Sequence, residues 1–174
     1  MKDSALVARA LSRGASFVDV RRQTMQDAFA ERVDGDTRVL SSTERGACVR
    51  ALVLGAWGFA STTGEPEASL ADAAVAAARA AARASSVRTS IVPLSRGKVS
   101  ARDVVRRDPF AGDPDAWLSR LARMESRTRG FPEVRSITLA LRAHRSVTSL
   151  LTSEGRSGSL ESTRVLLQAD VIAE

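Results

Sequence analysis

The chain is poor in the residues that build metal and disulfide sites. Among its 174 residues there is one cysteine, Cys48, and one histidine, His144. A single thiol excludes an intrachain disulfide and a zinc site built from cysteines. A single histidine excludes the His-Glu-x-x-His zinc site, which needs two histidines one helical turn apart. We expect Cys48, in an apolar run, to be a buried and unreactive thiol, and His144 to be an exposed residue near a turn.

Several motifs that carry catalysis in other proteins are also missing. The sequence has no Gly-x-x-x-x-Gly-Lys-[Ser/Thr] phosphate loop, no Gly-x-Gly-x-x-Gly fingerprint and no Gly-x-Ser-x-Gly nucleophile elbow. Paired carboxylates for acid–base chemistry cannot be singled out among the 20 acidic residues. By itself, the sequence therefore shows no catalytic apparatus and assigns no catalytic or metal-binding residue.

Aromatic residues are scarce: they make up 4% of the chain, and tyrosine is absent. The net charge is +6, but the arginines are scattered, with adjacent pairs only at Arg21-Arg22 and Arg106-Arg107. A nucleic-acid surface normally combines clustered basic residues with aromatic side chains on which bases stack. The composition therefore argues against nucleic acid as a partner, and we keep basic nucleic-acid binding as the weaker alternative.

Long apolar runs are missing as well. None approaches the roughly 18 residues that a membrane-spanning helix needs. At the N-terminus, Lys2 is followed by Asp3 and an amphipathic stretch, whereas a secretory signal has a continuous apolar core. We therefore expect a cytoplasmic protein with no membrane partner.

Residue propensity and the spacing of apolar residues predict four helical segments, one of them brief. The central helix is rich in alanine, the best helix former, and Pro66 suits its first turn. Asp113 is a predicted N-cap of the following helix, and Trp117 lies in the apolar stripe of that helix, where we expect it to join the core. The predicted ranges are 3–13, 67–85, a brief helix at 100–105, and 115–129.

Alternating apolar residues predict the strands. The pair Asp34-Gly35 between two extended runs indicates a tight hairpin, and a second turn is predicted near His144-Arg145. The predicted strands cover residues 17–20, 25–33, 37–43, 49–54, a segment from 57, a short piece at 91–94, and then 134–144, 147–151 and 160–174. The fold class is α/β (α+β): an antiparallel sheet packs with two main helices, followed by the first strands of an incomplete β-rich domain.

One segment, residues 46–62, carries most of the functional information. Its apolar run breaks at Gly55 and resumes at Trp57, as expected for two strands joined by a tight turn. Either Gly55 or Gly58 could supply the positive φ that such a turn needs. Trp57 and Phe59 are two residues apart and therefore share a sheet face. Core packing is the favoured role for this pair, and contact with a substrate strand added to a sheet edge is the alternative.

Arg50 is the charged residue of the apolar strand in this segment. It can face solvent, form an internal salt bridge or line a cavity, and burial statistics favour the solvent-facing position. Arg50, Trp57 and Phe59 are therefore the candidates for a peptide cavity or an interface. The glycines of the motif, Gly46, Gly55 and Gly58, are predicted to serve the turn.

The sequence resembles the N-terminal domain of the TldD/PmbA family, the modulator-of-gyrase metallopeptidases. The matching pieces follow the family order: Gly14 to Arg21 (GASFVDVR), then Gly46 to Arg50 (GACVR), Gly55 to Ala60 (GAWGFA), the alanine-rich helix, and Leu151 to Gly155 (LTSEG). Thr152 departs from the usual Asn and Leu54 from the usual Asp. The resemblance covers nearly the whole chain.

The resemblance implies residues 1–130 as a TldD/PmbA-like N-terminal α/β domain. Residues 131–174 would be a linker and the opening strands of a C-terminal metallopeptidase domain that this chain lacks. The family's zinc motif, His-Glu-x-x-x-His, lies in that absent domain, so no cofactor is expected here and no metal ligand is carried over. The implied partners are an unfolded or extended peptide and a TldD/PmbA-like paralogue, in a homo- or heterodimer.

The sequence leaves two functional hypotheses. The chain is either the substrate-enclosing and assembly domain of such a zinc peptidase, present as a truncated or split chain and inactive alone, or a non-catalytic scaffold or regulatory subunit that pairs with a full-length paralogue. The final alternating segment runs to Glu174 without a cap, which suggests a piece of something longer.

Overall fold

The computed structural model describes residues 2–92 and 96–174. It has mixed α/β architecture, which confirms the predicted fold class. In the described part of the chain, no helix is long and apolar enough to cross a membrane. The elements are α1 (Asp3–Ser12), β1 (Phe17–Val33), β2 (Asp36–Val53), β3 (Ala56–Thr63), α2 (Ala68–Ala84), β4 (Gly97–Arg102), α3 (Pro114–Thr128), β5 (Val134–Thr152) and β6 (Arg156–Ala173).

Six strands form one sheet in the order β3-β2-β1-β5-β6-β4. Four of them are long, with 17 to 19 residues each. The prediction of separate strands at 37–43 and 49–54 is wrong, because both belong to the continuous β2. The intervening polar residues resemble a loop in sequence, yet the first half of β2 is exposed throughout and so needs no apolar alternation. The predicted turn at His144-Arg145 is also wrong, since β5 runs through it.

Two-residue turns with positive φ at both positions join β1 to β2 and β2 to β3. Asp34 and Gly35 have φ of 46° and 99°, and Leu54 and Gly55 have φ of 51° and 75°. This conformation is the type I′ turn, whose twist matches that of the strands it connects. Both predicted hairpins are confirmed. Leu54 takes a left-handed conformation that Asp or Asn adopts at lower cost.

The chain forms two compact units, and the first contains the described residues of Met1–Thr24, Glu44–Arg102 and Val147–Glu161. Here α2 packs on β3 and on α1. Alanines of α2 keep the helix close to the sheet, and Val18, Val20 and Val49 fill the space between them. The Arg9 guanidinium joins α1 to α2 by hydrogen bonds to the Asp72 carboxylate, with Nε to Oδ1 at 3.0 Å. The alanine-rich helix is confirmed, and its small side chains account for the tight packing.

The second unit contains Met25–Thr43, Asp103–Ser146 and Ser162–Glu174. Its core is formed by Leu121 of α3 with Ala30, Ile137 and Leu139, and Trp117 packs against this cluster as predicted. The N-cap of α3 is also as predicted, because the Asp113 carboxylate accepts a hydrogen bond from the Asp115 N–H at 3.0 Å.

The segment at 97–102 corrects one prediction. It is the strand β4, which pairs in parallel with residues 156–161 of β6, and the helix predicted at 100–105 is wrong. Ser100 and Asp103 have the spacing of a helix cap, but pairing with β6 satisfies the backbone of this segment instead. Of the extended piece predicted at 91–94, Pro93 and Leu94 lie outside the described residues. The strands β5 and β6, assigned from sequence to a second domain, belong to the same sheet as β1 to β3; the boundary at residue 130 stays a prediction.

The second unit should lose stability in acid through Glu125. Burial alone would raise the pKa of this carboxyl, but hydrogen bonds from Arg32 and Arg129 outweigh it and leave the pKa below its ordinary 4.5. A depressed folded-state pKa gives stability that is present above the unfolded-state value and lost as pH falls through the folded-state value. We therefore expect the free energy of unfolding of this unit to decrease as the pH is lowered below about 4.5. Trp117 fluorescence in a Trp57→Phe background measures this unfolding. Glu125→Gln should flatten this dependence, and an unchanged profile in that variant would contradict the assignment.

Candidate functional site

The candidate site lies on the exposed face of the β2–β3 hairpin. Arg50 and Phe59 are partners in the ladder, and so are Leu52 and Trp57. Because cross-strand partners point to the same side of a sheet, these four side chains share one face. The opposite face packs on α2 through Val49, Ala51 and Gly58. We call Arg50, Leu52, Trp57 and Phe59, with Phe17 and Asp19 of β1, the hairpin face.

The two aromatic residues of the hairpin are exposed. Trp57 is 37% exposed and Phe59 is 57% exposed, so the favoured prediction that they pack in the core is wrong. Phe17 meets Trp57 edge to face, with ring centroids 5.8 Å apart and an interplanar angle of 83°. This is a favoured aromatic geometry, and it fixes the indole plane at the surface.

An ion pair stands in the middle of the hairpin face. The Arg50 Nε is 2.9 Å from Asp19 Oδ2 and 3.1 Å from Oδ1, and Arg50 Nη2 is 2.7 Å from Oδ2. The Asp19 side chain is only 4% exposed, whereas that of Arg50 is 53% exposed. The hydrogen bonds to Asp19 raise the pKa of Arg50. Arg50 also lies over the Trp57 ring, with Cζ 5.3 Å from the centroid. The arginine is thus both ion-paired and partly open to solvent.

The geometry suits contact with an extended apolar or aromatic peptide. The hairpin face combines a rigid indole, an exposed phenyl ring and a half-exposed guanidinium. The buried Asp19 carboxylate beneath the guanidinium neutralises its charge. In addition, β3 is the terminal strand of the sheet order. An extended chain can add to such an edge through backbone hydrogen bonds while its side chains contact the adjacent face.

The three glycines of this segment have three different roles. Gly55 lies in the turn with φ of 75°. Gly58 lies inside β3 opposite Ala51, and a Cβ built there would be 2.1 Å from the Ala74 carbonyl oxygen. Gly46 lies inside β2, where a Cβ would be 3.1 Å from the Thr62 carbonyl oxygen. Gly58 thus permits the close approach of α2, and the turn itself needs only Gly55.

Phe17 and Asp19 were not singled out from the sequence as site residues. The pattern that could have identified them is Phe17-Val18-Asp19-Val20, where an acidic residue lies between two valines that are buried in β1. A buried carboxylate needs a cationic partner, and Arg50 is the charged residue of the apolar strand.

Cys48, also on β2, is half-buried, and burial raises the pKa of its thiol. A raised pKa disfavours the reactive thiolate.

His144 lies within β5, not at a turn. Its Nδ1 is 2.8 Å from an Asp27 carboxylate oxygen, and both side chains are about half exposed. They line an open cavity of about 530 Å³ in the second unit, together with Phe29 and Arg142. Arg142 covers the Phe29 ring, with Cζ 4.8 Å from its centroid.

Comparison with known proteins connects this geometry to a family. The family model for domain 1 of the PmbA/TldA metallopeptidases matches residues 34–85, which include the hairpin and α2. The TldD/PmbA resemblance is confirmed. A comparison with curated proteins finds no match.

Solved structures share the fold over almost the whole chain. A proposed modulator of DNA gyrase from Bacteroides thetaiotaomicron has a TM-score of 0.77 at 17% identity, covering 99% of this chain and 40% of its own. A second such protein, from Thermotoga maritima, has a TM-score of 0.76 at 12% identity, with 98% and 39% covered. TldE from Thermococcus kodakarensis has a TM-score of 0.63 at 11% identity, with 98% and 43% covered. The chain therefore spans about two fifths of the length of these structures.

The zinc implied by the TldD/PmbA resemblance does not fit the described residues. Across 2–92 and 96–174, no group of three or more His, Cys, Asp or Glu side chains is placed to hold a metal ion. Asp27 and His144 approach each other without a third ligand of this kind. We therefore assign no metal ligand to this part of the chain.

Proposed function

We propose that this chain is a substrate-enclosing and assembly domain of a TldD/PmbA-like metallopeptidase that acts on extended or unfolded peptides. The observation that carries this proposal is the match of residues 34–85 to domain 1 of the PmbA/TldA metallopeptidases. The shared fold and the partial coverage of the solved structures are consistent with a domain of a larger enzyme.

Within this proposal the hairpin face contacts the peptide. Trp57 and Phe59 supply apolar contact area that is already ordered, so binding costs little side-chain entropy. The Arg50 side chain remains about half exposed above Asp19. Its guanidinium has no acceptor atom, but it can donate a hydrogen bond to a peptide carbonyl or carboxylate. The edge of β3 supplies backbone groups to an extended chain.

Peptide binding gives the first test. With Trp117→Phe leaving Trp57 as the sole tryptophan, titration with unstructured apolar peptides should change the Trp57 emission. We expect Trp57→Ala and Phe59→Ala each to weaken binding about tenfold, measured by anisotropy of a labelled peptide, because each removes an exposed aromatic contact. Phe131→Ala is the matched control, since Phe131 is an exposed aromatic of the second unit. Equal losses in all three variants would contradict a site on the hairpin face.

A cleavage assay distinguishes this proposal from the alternative that the chain is a complete peptidase on its own. The chain with added zinc should not cleave these peptides above background, and cleavage would contradict our account. The second candidate is a non-catalytic scaffold or regulatory subunit that pairs with a full-length paralogue. It predicts that the chain co-purifies with a full-length TldD/PmbA-like paralogue and changes its peptidase rate, whereas a chain that leaves the rate unchanged would contradict this candidate.

A further inference from the structure

The second unit contains an open cavity on the side of the sheet where α3 packs. Its volume is about 420 Å³, and it lies between the start of α3, the segment 107–113 that precedes this helix, and strands β5 and β6. The apolar part of its lining comes from Trp117 of α3, Leu141 of β5 and Val165 of β6. Ligand pockets typically combine such an apolar lining with a few polar groups.

The wall formed by the segment 107–113 is held in place by Arg145 of β5. The Arg145 side chain is only 16% exposed, and its Nη2 donates a hydrogen bond to the Asp108 carboxylate. Its Cζ lies 4.8 Å from the centroid of the Phe110 ring, and the Phe110 N–H donates to Asp108 Oδ1 at 2.9 Å. The wall is therefore formed before any ligand binds, which lowers the entropy cost of binding.

The polar part of the lining favours an anion. Arg107 and Arg120 line the cavity, and among the residues that the structure describes neither has an ion-pair partner. The two carboxylates of the lining are already engaged. Asp108 is held by Arg145, and Asp113 accepts a hydrogen bond as the N-cap of α3. Two available guanidiniums therefore lie beside an apolar surface.

We propose that this cavity binds a carboxylate that carries an apolar group. The guanidinium fork matches the two oxygens of a carboxylate, so Arg107 and Arg120 hold the charged end. The apolar group covers Leu141 and Val165 and contacts the Trp117 ring. Two guanidiniums disfavour a cationic ligand, and a small polar anion would leave the apolar surface in water.

Two sources supply this chemistry: a free aliphatic acid and the C-terminal residue of an extended peptide. Only the second source depends on the proposed peptide role. Octanoate represents the free acid. N-acetyl-Ala-Ala-Leu with a free C-terminal carboxylate represents the peptide end, and its C-terminal amide is the uncharged control.

Trp117 reports binding directly, because it lines the cavity. In a Trp57→Phe background, octanoate should change the Trp117 emission saturably, with a Kd on the order of 100 µM, as expected for a ligand of about ten non-hydrogen atoms. Acetate lacks the apolar group and 1-octanol lacks the charge, so each should bind at least about tenfold more weakly. Equal affinity for octanoate and 1-octanol would overturn the proposal, and so would the absence of a saturable response to both octanoate and the free-acid peptide up to about 5 mM.

Neutral variants test the two arginines. Arg107→Gln and Arg120→Gln should each weaken octanoate binding about fivefold, because each removes a charge-assisted hydrogen bond. Arg123→Gln is the matched control: Arg123 is another exposed arginine of α3, and it lies outside the cavity. This control should change the Kd by less than about twofold. Equal losses in the three variants would place the anion elsewhere and overturn the site.

A serine variant tests the apolar surface. Val165→Ser should weaken octanoate binding about threefold, because it removes apolar contact area from the cavity. Leu167→Ser is the matched control, since Leu167 is a similarly exposed residue of β6 outside the cavity. Both side chains are about half exposed, so neither change removes a core contact. A loss in the control as large as that in Val165→Ser would contradict the cavity.

The peptide pair identifies the source and separates this inference from the hairpin face. Binding of the free-acid peptide at least about tenfold more tightly than its amide assigns the cavity to a peptide C-terminus. Binding of octanoate without either peptide assigns it to a small free acid. Arg107→Gln should leave the response of Trp57 to peptides unchanged in the Trp117→Phe background, so failure of either proposal leaves the other standing.

Discussion

Replacing Gly58 by alanine is expected to lower the free energy of unfolding of the first unit by about 3 kcal/mol or more. A Cβ at this position would be 2.1 Å from the Ala74 carbonyl oxygen and 2.2 Å from the Ala78 amide nitrogen. Both atoms belong to the backbone of α2, so no rotamer change relieves the clash. Either α2 moves away from β3, opening the core around Ala74 and Val75, or the edge strand distorts. Urea unfolding followed by Trp57 fluorescence in the Trp117→Phe background reports this unit.

Two other glycines provide a graded control for this measurement. Gly97→Ala adds a methyl group within β4 where no atom lies within 4 Å, so its effect should stay within about 0.5 kcal/mol. Gly46→Ala meets the Thr62 carbonyl oxygen at 3.1 Å and should fall between the two. If Gly58→Ala unfolds at the same urea concentration as Gly97→Ala, the close helix–sheet packing described above is wrong.

The role of Gly58 illustrates which parts of the fold the sequence predicts. Turn chemistry is local, so Asp34-Gly35 and Gly55 mark their hairpins from a few residues alone. Helix propensity is also local, and the alanine-rich α2 follows from it. The closeness of α2 to β3 depends on tertiary packing, and in the sequence Gly58 looks like one more turn residue.

The lengths of the strands were predicted poorly for a related reason. Residues 36–45 of β2 are exposed, so neither face needs apolar residues and no alternation marks the strand. His144-Arg145 resembles a turn only because both residues are polar, yet neither has the positive φ of the turn residues found elsewhere in the described chain. At 97–102, pairing with β6 outweighs a local cap pattern. In each case a distant strand supplies the hydrogen bonds that decide the conformation.

The candidate site was predicted in part. Arg50, Trp57 and Phe59 were named from one segment, and the ladder brings them together on one face. Their partners Phe17 and Asp19 lie on β1, and Asp19 is 31 positions from Arg50 in sequence. Which acidic residue would meet Arg50 depends on the register between β1 and β2, and that register is set by the turn at Asp34-Gly35.

Replacing Arg50 by alanine should be the second most destabilising of these changes, lowering the free energy of unfolding of the first unit by about 2 kcal/mol at neutral pH. Removing one partner of a buried ion pair costs about 3–5 kcal/mol, because the other charge is left without compensation. Here the carboxylate of Asp19 is buried while Arg50 is half exposed, so water can enter the vacated space and reduce the cost. The same urea measurement with Trp57 fluorescence applies, and the emission itself should change because the guanidinium leaves the indole ring.

A double-mutant cycle separates the ion pair from lost packing. Asp19→Asn keeps the shape of the side chain while removing its charge, and the remaining Arg50 can be hydrated, so this variant should lose less stability than Arg50→Ala. Adding Asp19→Asn to Arg50→Ala should recover part of the loss, with a coupling energy of about 1 kcal/mol. Arg50→Lys should be intermediate, since an ammonium cannot reproduce the forked contact with both carboxylate oxygens. Additive effects would show that Asp19 does not depend on Arg50, and the hairpin face would then lack the fixed cation on which the proposed peptide contact depends.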